Sequence, residues 1–132
     1  MHGSATTLTT DRLRISYDHR ADLAAGVLTL QGTATYHEAP ALRRELLSAM
    51  AHRGAENLVV DLAAVERMDT AAMAVLVEGL LAAHGDHGPQ LYFCSPSESV
   101  RKVFHLAGLD DAVARCRSCL ADLEHRLRHP AS

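Results

Sequence analysis

From Leu13 to Tyr17 apolar and polar residues alternate, and Val27, Leu28 and Leu30 repeat the alternation ahead of Gly32. A period of two puts alternate side chains on one face of a sheet, so the pattern predicts two strands joined through Asp22 to Gly26, an opening hairpin. The residues before it, 1–10, are small and polar. They offer little apolar area against the entropy of ordering and are expected to form a flexible leader. At Glu38 the period changes. Ala39, Leu42, Leu46, Ala49 and Met50 fall on one helical stripe, Pro40 suits a first turn and Gly54 a stop. Leu58 to Leu62 is an apolar run broken only by Asp61, the pattern of a strand covered on both faces near the centre of a sheet.

A second helix is expected over Ala71 to His84, introduced by Asp69-Thr70 and closed by Gly85. Its inward stripe is Met73, Leu76, Val77, Leu80 and Leu81, which leaves Ala71, Ala74, Val75, Glu78 and Ala82 as an outer face with a single charge. Leu91 to Cys94 predicts a third covered strand. Ser95-Pro96-Ser97-Glu98 has the form of a capping box, with Ser95 as the cap and Pro96 in the first helical position, before Val100, Val103, Phe104 and Ala107 turn inward up to Gly108. Ala112 to Cys116 reads as a short edge strand and Ser118 as the cap of a last helix carrying Leu120, Leu123 and Leu127. The order β-β-α-β-α-β-α-β-α predicts an α/β domain over 11–129 with a tail at 130–132. Its sheet is mixed, with roughly four to five strands and about four helices, the later strands running parallel through right-handed crossovers.

The chain has 132 residues, a formal charge of -3 and 22% charged residues. One core is expected, and no basic field points to direct contact with nucleic acid or to an anionic membrane. No apolar run reaches about 18 residues, and Met1-His2-Gly3-Ser4 opens a polar stretch without the apolar core of a signal peptide, so the expected location is the cytoplasm, without membrane insertion. Three clustered cysteines, Cys94, Cys116 and Cys119, fit a reducing compartment. With 4% aromatic residues and no tryptophan, a stacking platform for bases or sugars would be hard to build.

Catalytic and metal chemistry find little support. Cys116, Cys119, His125 and His129 supply zinc-ligand types, but if Ser118 caps a helix, Cys119 and His125 stand six positions apart and point to different faces. No Gly-x-Ser-x-Gly elbow, Walker loop or dinucleotide fingerprint is present, and Cys94 falls within a covered strand. The expectation is therefore a protein that is not an enzyme and needs no cofactor or metal, with a small enzyme or metal-binding protein as the alternative kept open by the histidines. His37, beside Tyr36 and near Thr35, can line a small pocket with Asp69. Asp69 or Thr70 can serve as a helix cap, but a phosphate on Thr70 would also meet the positive end of the second helix. The nearly uncharged outer face of that helix suits a protein partner, the domain's own loops or a homodimer.

In this order, Leu28-Thr29-Leu30-Gln31-Gly32, Ala39-Pro40-Ala41-Leu42-Arg43, Val59-Val60-Asp61-Leu62, Met68-Asp69-Thr70, Ser95-Pro96, Val100-Arg101-Lys102-Val103 and Leu106-Ala107-Gly108-Leu109 resemble the STAS domain. That family is shared by anti-sigma factor antagonists, stress-signalling scaffolds and the cytoplasmic tails of sulfate transporters. The resemblance implies a STAS-like fold and a module of transcription regulation that works by protein–protein interaction. It places the regulatory phosphorylation site at Thr70 and implies a partner, an anti-sigma factor with serine/threonine kinase activity. Partner binding is expected at Asp69, Thr70, Ala71, Ala74, Val75, Glu78, Thr35 and His37. Two departures stand out: Ala71-Ala72 follow Thr70 where a further hydroxyl and a glycine are usual, and Thr35 replaces the usual acidic residue three positions after Gly32. The second predicts slow phosphorylation. The alternative is an unphosphorylated STAS subunit that regulates a transporter or a stress-signalling scaffold.

Overall fold

The computed structural model describes residues 6–9, 12–21, 25–52, 57–82, 91–106 and 116–117. Its strands are β1 (Thr6–Thr9), β2 (Leu13–Arg20), β3 (Ala25–Ala34), β4 (Asn57–Met68), β5 (Leu91–Cys94) and β6 (Cys116–Arg117), and its helices are α1 (Ala39–His52), α2 (Thr70–Ala82) and α3 (Glu98–Leu106). The sheet runs β1-β2-β3-β4-β5-β6 in chain order. The first two pairings are antiparallel and the last three parallel. The mixed α/β architecture is thus the expected one, and the opening hairpin forms, pairing Leu13 with Gly32, but its ladder runs on to Arg20 and Ala25, so Ala25 and Gly26 of the expected connection belong to β3. Each parallel pair from β3 to β6 is bridged by one helix, because a parallel neighbour can be reached only by a crossover.

Four residues of the expected leader, Thr6–Thr9, instead pair with β2 as an edge strand. Threonine is β-branched and suits a pleated edge, and an edge strand gains ladder hydrogen bonds without needing a large apolar area. This strand takes the sheet to six among the described residues. The expected last helix, the zinc-type ligands Cys119, His125 and His129, and the tail at 130–132 lie outside them.

One face of the sheet carries the main core. Ile15, Leu28, Leu30, Leu58, Val60, Leu62 and Phe93 meet Leu42 and Leu46 of α1, Met73 and Leu76 of α2, and Val100 and Phe104 of α3. Phe93 and Phe104 stack tilted, with centroids 5.5 Å apart, a geometry that adds about 1 kcal/mol to their area burial. On the opposite face Ala25, Val27, Val59 and Cys94 form a smaller cluster. Val59 is buried there while Leu58 and Val60 point to the main core, so β4 is covered on both faces, as its apolar run broken only by Asp61 implies.

Helix α2 departs from its expected orientation. Val75, assigned to the outer face, is buried, and Leu81, assigned to the inner stripe, is 70% exposed. A single stripe fits a helix that touches only the sheet, but α2 also packs along α1, so its buried sector runs through Ala72, Met73, Val75, Leu76 and Gly79. Leu81 stands five positions from Leu76, about 140° around the helix, and faces away. Gly79 permits the close approach: a Cβ there would lie 2.6 Å from Leu46 Cδ2. The start of α3 also shifts. Ser97 Oγ accepts from the Val100 N–H (3.2 Å), so the cap is Ser97 and not Ser95. Ser95 has φ 53° and precedes Pro96, where a right-handed helical conformation is disfavoured.

Candidate functional site

Two helix starts meet at the end of β3 and β4. β3 bends there at Gly32, whose φ of 108° only glycine adopts readily, while the Thr33 N–H donates to the Arg12 carbonyl (2.9 Å). The chain then makes a tight turn into α1. The Thr35 carbonyl accepts from the N–H groups of Glu38 and Ala39 (both 3.0 Å). Glu38 reaches back, its Oε1 accepting from the Thr35 N–H (2.9 Å) and the Thr35 hydroxyl (2.7 Å), and the same hydroxyl oxygen accepts from the His37 N–H (3.3 Å). Threonine and glutamate three positions apart, joined in this way, make the glutamate half of a capping box, while the Glu38 N–H goes to the Thr35 carbonyl and not to its hydroxyl. Burial of Glu38, at 5% exposure, raises its pKa. The Thr35 hydroxyl and amide, with the charges of Arg12 and His37, outweigh that effect, and the net shift is downward from the ordinary glutamate value.

Helix α2 is capped by Asp69. Its Oδ1 accepts from the Ala72 N–H (3.0 Å), while its Oδ2 reaches across to the Tyr36 N–H (2.8 Å). One carboxylate therefore satisfies an N-terminal amide of α2 and an amide of the turn that leads into α1, close to the positive ends of both helix dipoles. The Asp69 N–H is itself held by the Ala34 carbonyl (3.0 Å). Thr70 follows as the first residue of α2, exposed, and its hydroxyl has no partner among the described residues. The helix-cap reading belongs to Asp69, which leaves the Thr70 oxygen available for chemistry.

Beyond Thr70 an open groove of about 660 Å³ runs between α1 and α2, lined by Tyr36, Pro40, Arg44, Leu47, Ala74 and Val75, with Arg43 and Glu78 also on its walls. Arg43 Nη2 and Glu78 Oε1 pair at 2.7 Å. Thr70, Ala74 and Glu78 are spaced by four, so they share one face of α2.

A family model for the STAS domain matches residues 15–123. The chain belongs to the STAS domain family. The fold agrees with solved structures of that kind. An anti-sigma factor antagonist from Mycobacterium paratuberculosis shares 23% identity over 95% of each chain, with a TM-score of 0.71. The anti-sigma factor antagonist SpoIIAA in its unphosphorylated form shares 18% identity over 95% of this chain and 96% of that one, with a TM-score of 0.61. SpoIIAA described as a Bacillus cell fate determinant, in phosphorylated form, shares 17% identity over 95% of this chain and 100% of that one, with a TM-score of 0.60.

In this STAS domain the expected residues fall into three groups. Asp69, Thr70, Thr35 and His37 come together at the paired helix starts. Ala74 and Glu78 lie exposed along the groove and Ala71 is half-buried, whereas Val75 is a buried wall residue. His37 is exposed, its ring 4.0 Å from that of Tyr36, and the link to Asp69 runs through the Tyr36 amide. Sequence reasoning missed Glu38, though the signal was local: Thr35-Tyr36-His37-Glu38 has the Thr-x-x-Glu spacing. It also missed Tyr36, Arg44 and Leu47, for which no local signal exists, because the groove forms only when α1 lies beside α2. Among the described residues no metal-binding cluster occurs and no helix is long and apolar enough to cross a membrane.

Proposed function

We propose that this STAS domain is an anti-sigma factor antagonist that captures an anti-sigma factor with serine/threonine kinase activity through the surface around Thr70. Capture withdraws the inhibitor from its sigma factor and so releases transcription. The observation that carries the reading is the exposed Thr70 hydroxyl, which is relieved of capping by Asp69 and stands where two helix starts converge. In the switch, the γ-phosphoryl of ATP passes to Thr70 Oγ1, ADP leaves and the hydroxyl proton goes to a base of the kinase. The product carries about −1.5 to −2 charge beside Asp69, favourable to the helix ends yet repulsive to an acidic partner surface. The domain stays folded while its surface gains negative charge.

Transfer is slow in this reading, because position 35 offers a hydroxyl already engaged by Glu38 in place of a free carboxylate. That same observation favours a second reading, an unphosphorylated STAS subunit of a transporter or a stress-signalling scaffold. The test uses the tagged full chain to isolate its partner, followed by incubation with ATP and peptide mass analysis. An ATP-binding kinase-like partner, phosphate on Thr70, and release of that partner from the phosphorylated chain are the expected results. Phosphate elsewhere with Thr70 untouched, or a transporter or scaffold as the partner with no phosphate, would reject the switch.

A further inference from the structure

The groove between α1 and α2 has a chemical character of its own. Its apolar surface comes from Tyr36, at 64% exposure, Leu47, at 43%, and Ala74 and Val75. Large side chains left this exposed beside a depression mark a surface that something covers. Of the charges on its walls, Arg43 is neutralised by Glu78, whereas Arg44 is exposed and has no ion-pair partner among the described residues. The groove therefore presents one unbalanced positive charge next to apolar surface.

Its walls are helices, whose backbone groups are already paired within the helix. An extended peptide laid in the groove would find no backbone donors or acceptors and would leave its own unsatisfied. A helical segment brings its backbone bonds with it. From Ala39 to Leu47 the α1 wall is roughly 12 Å long at the rise of a helix, room for about two turns of a docked helix. The groove also begins at Tyr36, whose amide is bonded to Asp69, and continues along the face of α2 that starts at Thr70. We propose that this groove receives an amphipathic helix of the anti-sigma partner, with apolar side chains over Leu47 and Ala74 and an acidic side chain paired to Arg44. The inference rests on the function proposed above and identifies which part of the partner docks. It also gives the switch a target, because phosphate on Thr70 would place negative charge at the end of a groove that holds an acidic helix.

The test is photo-crosslinking with p-benzoylphenylalanine in place of Leu47, and separately in place of Thr70, in the full chain expressed in its own cells. Both positions are exposed, and thermal unfolding confirms that each variant is folded. The expected result is a crosslink from each position to the same protein, the one from position 47 mapping to an acidic amphipathic helix. Arg44→Glu should weaken binding about tenfold, Arg44→Ala less, and an acidic-to-arginine change in the mapped helix should restore binding to Arg44→Glu. A crosslink to the kinase-like partner from position 70 alone would overturn the groove assignment and leave the antagonist function standing. So would a crosslink from position 47 only to a second copy of this chain, or unchanged affinity of Arg44→Glu. No crosslink from either position would overturn both.

Discussion

Helix α2 is capped by the aspartate directly before it, and the turn into helix α1 is pinned by a threonine bonded to a glutamate three positions later. At α2 the cap is complete without Thr70, so that hydroxyl is exposed and spare. At α1 the Thr35 hydroxyl is used twice, donating to Glu38 and accepting from His37. Two threonines at neighbouring helix starts thus have opposite roles, one structural and one available. The difference teaches that a hydroxyl near a helix N-terminus is a candidate switch only where another group does the capping. Asp69 joins the two starts, since one carboxylate serves both.

The largest effect should come from placing an acidic residue where the family usually has one. Thr35→Asp removes the hydroxyl donor to a buried carboxylate and sets a second carboxylate beside it, and should cost about 3 kcal/mol in urea unfolding at neutral pH. The double variant Thr35→Asp/Glu38→Thr removes the repulsion and puts a good capping residue directly before α1, so it should regain most of that loss. It is also the variant in which to ask whether a carboxylate at position 35 speeds phosphorylation of Thr70. A neutral Thr35→Asp would break the comparison at the α1 start. Next in size is Asp69→Ala, which loses the α2 cap and leaves the Tyr36 amide unpaired. About 2 kcal/mol is expected, and Asp69→Asn, which keeps an acceptor, should lose roughly half of it.

What was legible in the sequence follows from the range of each interaction. Leu13 to Tyr17, Leu58 to Leu62 and Leu42, Leu46 and Ala49 carry periods set by their own element, and each lies where that period predicts. The orientation of α2 was not local: Val75 is buried where α2 packs along α1, and only Gly79, a glycine inside a helical pattern, hinted at that packing, its missing side chain leaving room for Leu46. The shift of the α3 cap from Ser95 to Ser97 reflects two overlapping cap signals, decided by Pro96. At the site, Asp69-Thr70 located the switch candidate, while reading Thr35 as a missing acid hid its pairing with Glu38. The groove was illegible because Leu47 of α1 and Ala74 of α2 face one groove only once the helices pack.

A smaller effect separates charge from shape at the α1 start. Glu38→Gln keeps an oxygen that can accept from the Thr35 amide and hydroxyl but removes the charge, and should cost about 1 kcal/mol at neutral pH. A carboxyl whose folded-state pKa lies below its unfolded value contributes stability that is complete above the unfolded pKa and is lost as the pH falls through the folded one. Glu38 is shifted in that direction. The gap in stability between the original chain and Glu38→Gln should therefore be constant above the ordinary glutamate range and close below it. A gap that stays the same down to the lowest pH at which the fold survives would mean that shape alone holds the box.

The smallest effect on stability is expected from Thr70→Ala. Its hydroxyl has no partner among the described residues, its side chain is exposed, and alanine is the better helix former, so the change should fall within about 0.5 kcal/mol of zero and can be slightly favourable. Thr35→Ala, the matched substitution at the other helix start, should cost more, because it removes a hydrogen bond to a carboxylate, worth about 1.5 kcal/mol or more. Measured together by urea unfolding, the two alanine variants test the contrast directly. Equal losses would mean that Thr70 shares the capping of α2 and is not spare. If Thr70→Ala is neutral to folding yet abolishes phosphate incorporation, the hydroxyl serves the switch alone. Thr70→Glu should then weaken partner binding while leaving stability near that of the original chain, since a negative charge in the first turn of α2 favours the helix dipole.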